Sequence, residues 1–286
     1  MRSALFPVMV PLALAGCAAP PAQAPVIAPA LKAPELYHVP DFARIPYEPF
    51  DRASAVGIAM TEWRAFGQLV DDDPPHTRPP LAPEEMPDRM PGLWQRVGVY
   101  WWLGQNADRV EDAWTGMHDA DGTEFDATRA DYFAWSAAFI SYVMRLAGAG
   151  DHFPYAASHS VYINAAARQA LGRDQGWVMT ARRPQDYAPA PGDIICTGRD
   201  RASHMRFDRL PARPFPAHCD IVVATAPNDV VAGAPNELSV VGGNVDAAVT
   251  MKHVPVGSDG RLAAPDGSPL DTRYDWFVVL QVQYTR

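Results

Sequence analysis

Four short segments, in a fixed order along the chain, carry residue types that can build and use a nucleophile. Ser136 lies in Trp135-Ser136-Ala137-Ala138-Phe139, where Phe139, Val143 and Leu146 recur at helical spacing and put Ser136 in the first turns of a helix. Pro191-Gly192-Asp193 reads as a turn entering a strand, and His218 opens the strand His218-Cys219-Asp220-Ile221-Val222-Val223. Val241-Gly242-Gly243-Asn244 ends the next strand. A serine hydroxyl is too weakly acidic to attack unaided; it needs an imidazole base and a third group that orients the base. His218 is the candidate base. Asn244, or Asp220 on the same strand face as His218, is the candidate orienting group. Amides at the helix start would hold the oxyanion, which makes the chemistry that of an amidase or esterase.

Other residues are weighed against this site. Trp135, His159 and Asp193 are candidate substrate contacts; His159, in Ala157-Ser158-His159-Ser160, either lines the same cleft or serves the start of a fourth helix. His204 sits in the Arg- and Pro-rich loop 199–216, which is long enough to fold over the site as a lid. A zinc site from His218, Asp220 and His159 or His204 lacks HExxH or CxxC spacing, so no metal and no cofactor is assigned. Asp119 to Glu124 lacks the ligand series of a calcium loop. Cys219 points to the face opposite His218 and is a poor nucleophile candidate. A hairpin would bring Cys196 opposite Cys219, and two states stay open, a Cys196–Cys219 disulfide or two buried thiols.

The order of the four segments, over roughly residues 130 to 255, resembles the NlpC-type and CHAP-type papain-like amidases of bacterial cell walls. The resemblance implies a papain-like core, with the nucleophile at a helix N-terminus, the histidine at a strand start and a polar group to orient it. It also implies peptidoglycan or cell-wall peptide as the partner. Those families use cysteine where this chain has Ser136, so two functions stay open: hydrolysis through Ser136 and His218, or a catalytically inactive module that binds at the same cleft. The segments WSAAFISYV, HCDIVV and GGNV are more closely similar to the bacterial domain of unknown function 2272.

The N-terminus points to an address. Met1-Arg2 and the apolar run from Ser3 to Ala13 have the anatomy of a secretory signal, and Leu14-Ala15-Gly16-Cys17 resembles the bacterial lipobox. Residues 1–16 are read as a cleaved signal and Cys17 as the lipidated residue that anchors the protein to the membrane. Ala18 in place of an aspartate implies an outer-membrane lipoprotein facing the periplasm. Residues 17–49 read as a Pro/Ala-rich tether, with eight prolines between Pro20 and Pro49. Loss of Arg2 takes the formal charge of −9 to about −10, which argues against nucleic acid as a partner.

The elements that must position the site follow from periodicity. Helices are expected at Ala53–Gly67, Leu93–Gln105, Tyr132–Ala147 and Ser158–Leu171, the third opened by a Thr128/Asp131 capping box and stopped at Gly148. Strands are expected at Asp193–Thr197, His218–Thr225, Glu237–Asn244, Val249–Val256 and Trp276–Tyr284. Helices first and strands last predict a single α+β domain, residues 50–286, with helices packed on an antiparallel sheet of about five strands.

Overall fold

Helices occupy the first half of the folded chain and strands the second. The computed structural model describes residues 49–285 apart from 76, 78, 106–113 and 226–235, all within the compact unit Tyr37–Arg286. Cys17, the signal segment and the tether short of residue 49 lie outside the described residues. The fold is α+β. Among the described residues there are four α-helices, α1 (Arg52–Ala65), α2 (Leu93–Gly104), α3 (Ser136–Leu146) and α4 (His159–Ala170). The six strands are β1 (Met179–Arg182), β2 (Ile194–Gly198), β3 (Ala217–Thr225), β4 (Glu237–Val245), β5 (Ala248–Pro255) and β6 (Trp276–Val282). They form one antiparallel sheet in the order β1-β6-β2-β3-β4-β5. No helix among the described residues is long and apolar enough to cross a membrane.

Local chemistry sets the helix starts. Asp51 caps α1 by accepting from the Ser54 amide at 2.8 Å. The third helix begins later than its periodicity suggested. Residues Ala127–Phe133 form a separate 3₁₀ segment capped by Asp126, which accepts from the Thr128 amide at 2.8 Å, so a Thr128/Asp131 box does not open α3. Trp135 takes the cap position of α3 without any side-chain cap. The sheet also exceeds expectation by one strand, β1, whose Met179 and Ala181 face inward while Arg182 faces solvent. Four residues, two of them weak strand formers, gave too little pattern to see.

The sheet is covered on both faces, which is why β2 and most of β3 are buried at consecutive residues and not at alternate ones. On the helix side, Phe139, Val143, Tyr162 and Ile163 pack on Cys196, Cys219, Ile221 and Val278. On the other side Ile195, Val222, Val240, Val254 and Trp276 pack beneath Leu262, Tyr187 and Tyr274. Between α1, α2 and α3 the buried Glu62 carboxylate accepts from Arg96 at 2.9 Å, Tyr100 at 2.6 Å and Tyr142 at 3.2 Å. Where α2 crosses α3, Gly104 packs so tightly that a Cβ there would lie 2.3 Å from the Ala138 carbonyl oxygen.

Cys196 and Cys219 are direct partners in the β2–β3 register and are joined by an S–S bond of 2.12 Å. The crosslink closes a loop of 23 residues in sequence separation, which includes all of 199–216. Replacing both cysteines with alanine is expected to lower the unfolding free energy by about 3 kcal/mol, mainly by freeing the unfolded chain. Urea unfolding of the double variant beside wild type measures this, and unchanged stability would show that the crosslink does not constrain the unfolded ensemble.

Candidate active site

Two imidazoles and a serine come together where α3 begins, α4 begins and β3 begins. Ser136 is the first residue of α3, and its Oγ lies 2.7 Å from Nε2 of His159, the first residue of α4. One turn further along α4, the Tyr162 hydroxyl hydrogen-bonds the other ring nitrogen, Nδ1. Tyr162 is fully buried, and burial followed by the Asp220 charge raises its pKa well above the ordinary value, so the hydroxyl keeps its proton.

The second imidazole belongs to His218. Its Nε2 donates to Asp220 Oδ1 at 2.8 Å, and Lys252 Nζ on β5 donates to Asp220 Oδ2 at 2.9 Å. Burial alone would raise the Asp220 pKa; the Lys252 ammonium and His218 reverse this and hold the carboxyl below its ordinary range. An ionised carboxylate only accepts, so Nε2 of His218 carries the proton and Nδ1 is bare. That Nδ1 is buried and has no hydrogen-bond partner among the described residues. Burial lowers the His218 pKa to about 4, with Arg199 and Lys252 adding to the effect and Asp220 opposing it. Burial, His218 and Arg199 likewise hold His159 well below the usual histidine value. The two rings lie 5.5 Å apart between centroids at an interplanar angle of 62°.

Two adjacent glycines make room for this assembly. A Cβ at Gly242 would sit 1.7 Å from Asp220 Oδ1 and 2.9 Å from His218 Nε2. A Cβ at Gly243 would sit 2.7 Å from side-chain atoms of both Phe139 and Trp135. Trp135 itself is fixed from its far end, where Nε1 donates to Asp88 Oδ2 at 2.9 Å. Burial pushes the Asp88 carboxyl up to about 6, despite the indole hydrogen bond and the nearby Arg89.

The residues singled out by sequence are thus redistributed. Ser136 pairs with His159, which the sequence offered either as lining the cleft or as serving the start of a fourth helix. His218 forms no hydrogen bond to Ser136 or Asn244; Asp220 occupies the orienting place. Asn244 is the last residue but one of β4 and has a positive φ of 57°. Trp135 is 1 % exposed and packs among Phe66 and Tyr100, so it is a core residue that aims the start of α3. Asp193 is fully buried elsewhere, accepting from the Tyr187 hydroxyl at 2.8 Å and the Ala190 and Val282 amides at 2.9 and 3.0 Å. It ties the β2 turn to β6 and makes no contact with the serine. In the 199–216 loop His204 is exposed, and Asn164 of α4 grips Ala212 through both backbone groups at 2.8 and 2.9 Å. Lys252 was missed from the sequence, although it is one of only two lysines in the chain and sits inside an apolar strand.

Two measurements check these electrostatics. Lys252→Met leaves a buried carboxylate without its counter-ion and is expected to cost about 3–5 kcal/mol in urea unfolding, most of it recovered when Asp220→Asn is added. Nitrogen-15 NMR is expected to show His218 protonated at Nε2 only at neutral pH, titrating near pH 4. The unfolded imidazole takes its proton near pH 6.5, so the unfolded chain binds more protons below that pH. The contribution of the neutral His218 imidazole to stability is therefore complete above pH 6.5 and is lost as pH falls toward 4. Titration of His218 at an ordinary value would overturn the buried, lysine-backed description.

No curated protein and no solved structure matches the chain. The pattern of one protein family, described as "Uncharacterized protein conserved in bacteria (DUF2272)", matches residues 88–282. That span runs from Asp88 behind Trp135 to the end of β6 and contains Ser136, His159, His218, Asp220, the Gly242–Gly243 pair and Lys252. The chain belongs to this family of bacterial proteins, DUF2272.

Proposed function

We propose that the domain hydrolyses an amide or ester bond in cell-wall peptide, held at the outer membrane by a lipid on Cys17 and facing the periplasm. The observation that carries the chemistry is the 2.7 Å contact between Ser136 Oγ and His159 Nε2, with Tyr162 behind the ring. Nucleophile, base and orienting group in hydrogen-bonded sequence are the signature of an activated hydroxyl. In this reading Ser136 Oγ attacks the carbonyl carbon and passes its proton to Nε2 of His159. The Nδ1–H of that tautomer is held by the Tyr162 oxygen. The tetrahedral oxyanion meets the first N–H groups of α3, which no side chain caps. His159 then returns the proton to the leaving nitrogen or oxygen. The bare Nδ1 of His218, set by Asp220, accepts from a substrate N–H or from the water that resolves the acyl-enzyme.

The papain-like comparison belongs to the same proposal. It is supported by a nucleophile position at a helix start, a histidine at a strand start and a carboxylate orienting that histidine. The wall as substrate source is supported by the lipobox-like Leu14–Cys17 and by the sequence resemblance to wall amidases.

A second reading is favoured by one observation. Ser136, His159 and His218 are only 5 %, 4 % and 2 % exposed, and a hydroxyl, not a carboxylate, backs His159. A cleft with those properties suits a module that binds wall peptide without cleaving it.

Incubation of purified cell wall with the mature protein separates the two. Under the hydrolytic reading, Ser136→Ala is expected to reduce product release at least about 100-fold, and Tyr162→Phe about 10-fold with an unchanged melting temperature. Activity should persist on the acid side well below the ordinary histidine pKa, because the base works neutral and burial holds the His159 imidazole well below that value. Equal release by wild type and Ser136→Ala would remove the serine from the mechanism. Wall binding with no release by either would leave the binding module.

A further inference from the structure

We propose that Arg199 selects substrates that carry a free carboxylate, holding that anion beside His218 at the entrance to the site. The inference rests on the reading above, that the Ser136 cluster faces substrate, and it adds the chemical class which that substrate must have.

Backbone register gives Arg199 its position. Thr197 pairs with His218 and Gly198 with Ala217, and the Arg199 amide donates to the Pro216 carbonyl at 3.1 Å, extending the β2–β3 ladder by one step. Arg199 keeps extended backbone angles, φ −120° and ψ 156°. Side chains alternate along a strand, so Arg199 leaves the sheet on the same face as Thr197, His218 and Asp220. It is the diagonal neighbour of His218, at the ~7–8 Å spacing within which a long side chain makes contact. Unlike His218 it is exposed. Its positive charge also lowers the basicity of both imidazoles.

The charge of that space is unbalanced. Asp220 and Lys252 neutralise each other, and both imidazoles are neutral. Among the described residues no ion pair engages Arg199, which leaves it as an uncommitted cation beside the cluster. The loop that begins with it is cationic as well. Residues 199–216 hold five arginines against Asp200 and Asp208, in a chain whose formal charge is −9. Asp208 is already paired with Arg183. One guanidinium beside a site whose other charges, among the described residues, are paired matches one carboxylate, which it can hold through two parallel hydrogen bonds.

The test uses the mature Ser136→Ala protein, so that binding is read without turnover. Calorimetric titration compares a cell-wall tetrapeptide with the same peptide in which every carboxyl is converted to a primary amide. The acid form is expected to bind about 10-fold more tightly. Adding Arg199→Gln should bring the two peptides to equal affinity, Arg199→Lys should keep part of the difference, and Arg201→Gln should keep all of it. Equal binding of acid and amide, an unchanged preference in Arg199→Gln, or no binding of either peptide overturns the proposal. Hydrolysis by the protein with native Ser136 is scored separately. An Arg199-dependent preference without product release keeps the specificity and removes the chemistry, whereas release without preference does the reverse.

Discussion

The buried carboxylate of Asp220 is the constraint around which the site is arranged. An ionised group without exposure survives in a folded protein only if its lone pairs are filled, and here an imidazole fills one oxygen and an ammonium the other. That requirement reaches across three strands. Lys252 on β5 pairs with Val240, while Ile221 on β3 pairs with Val241, so the lysine reaches diagonally over β4 to meet Asp220. The position it must pass is that of Gly242, where any side chain would occupy the place of the carboxylate oxygen. A register slip of one residue in β4 or β5 would turn Lys252 to the other face and strand both charges. The ion pair therefore specifies pairing as well as local chemistry, and the tautomer of His218 follows from it.

The serine side is fixed by a different kind of contact. Gly243 lets Trp135 and Phe139 lie directly on the β4 backbone, and the Trp135 N–H is held by Asp88, whose own amide donates to the Ala247 carbonyl at 2.9 Å. Ala247 and Asp246 form the turn between β4 and β5, both with positive φ. The start of α3 is thus braced against the same hairpin that carries Gly242 and Lys252. Packing sets Ser136, charge sets His218, and the two systems share one hairpin.

What was legible in the sequence was whatever repeats along it. The four helices and five of the six strands follow from spacing, since a buried face imposes its period on the residues that make it. The Gly-Gly pair and the histidine at a strand start were visible as local motifs. The Ser136–His159 contact was not, because it depends on where the starts of α3 and α4 meet in space, and no local pattern encodes that meeting. Asn244 and Asp220 were both legible as orienting groups, and it is the carboxylate two residues from His218 on the same face that hydrogen-bonds it. Lys252 carried a signal that could have been used. A lysine inside an apolar strand, in a chain that otherwise supplies its cations almost wholly as arginine, needs a buried acid, and Asp220 is the acid in the facing apolar run.

The low basicity of the imidazoles bears on why serine stands where related-looking amidases use cysteine. A thiolate mechanism rests on a standing thiolate–imidazolium pair, and a site that keeps both imidazoles neutral disfavours that pair at rest. A serine needs no standing charge; it requires a neutral imidazole in contact and charge that appears only as the carbonyl is attacked. The same environment weakens His159 as a base, through burial first, then His218 and the positive charge of Arg199. A carboxylate seated on that guanidinium cancels the charge and lets both imidazoles become more basic. The oxyanion forming at the α3 start acts in the same direction. On the proposed function, the group that recognises the substrate would also set the strength of the base, so binding of the right anion and activation of Ser136 would be one electrostatic event.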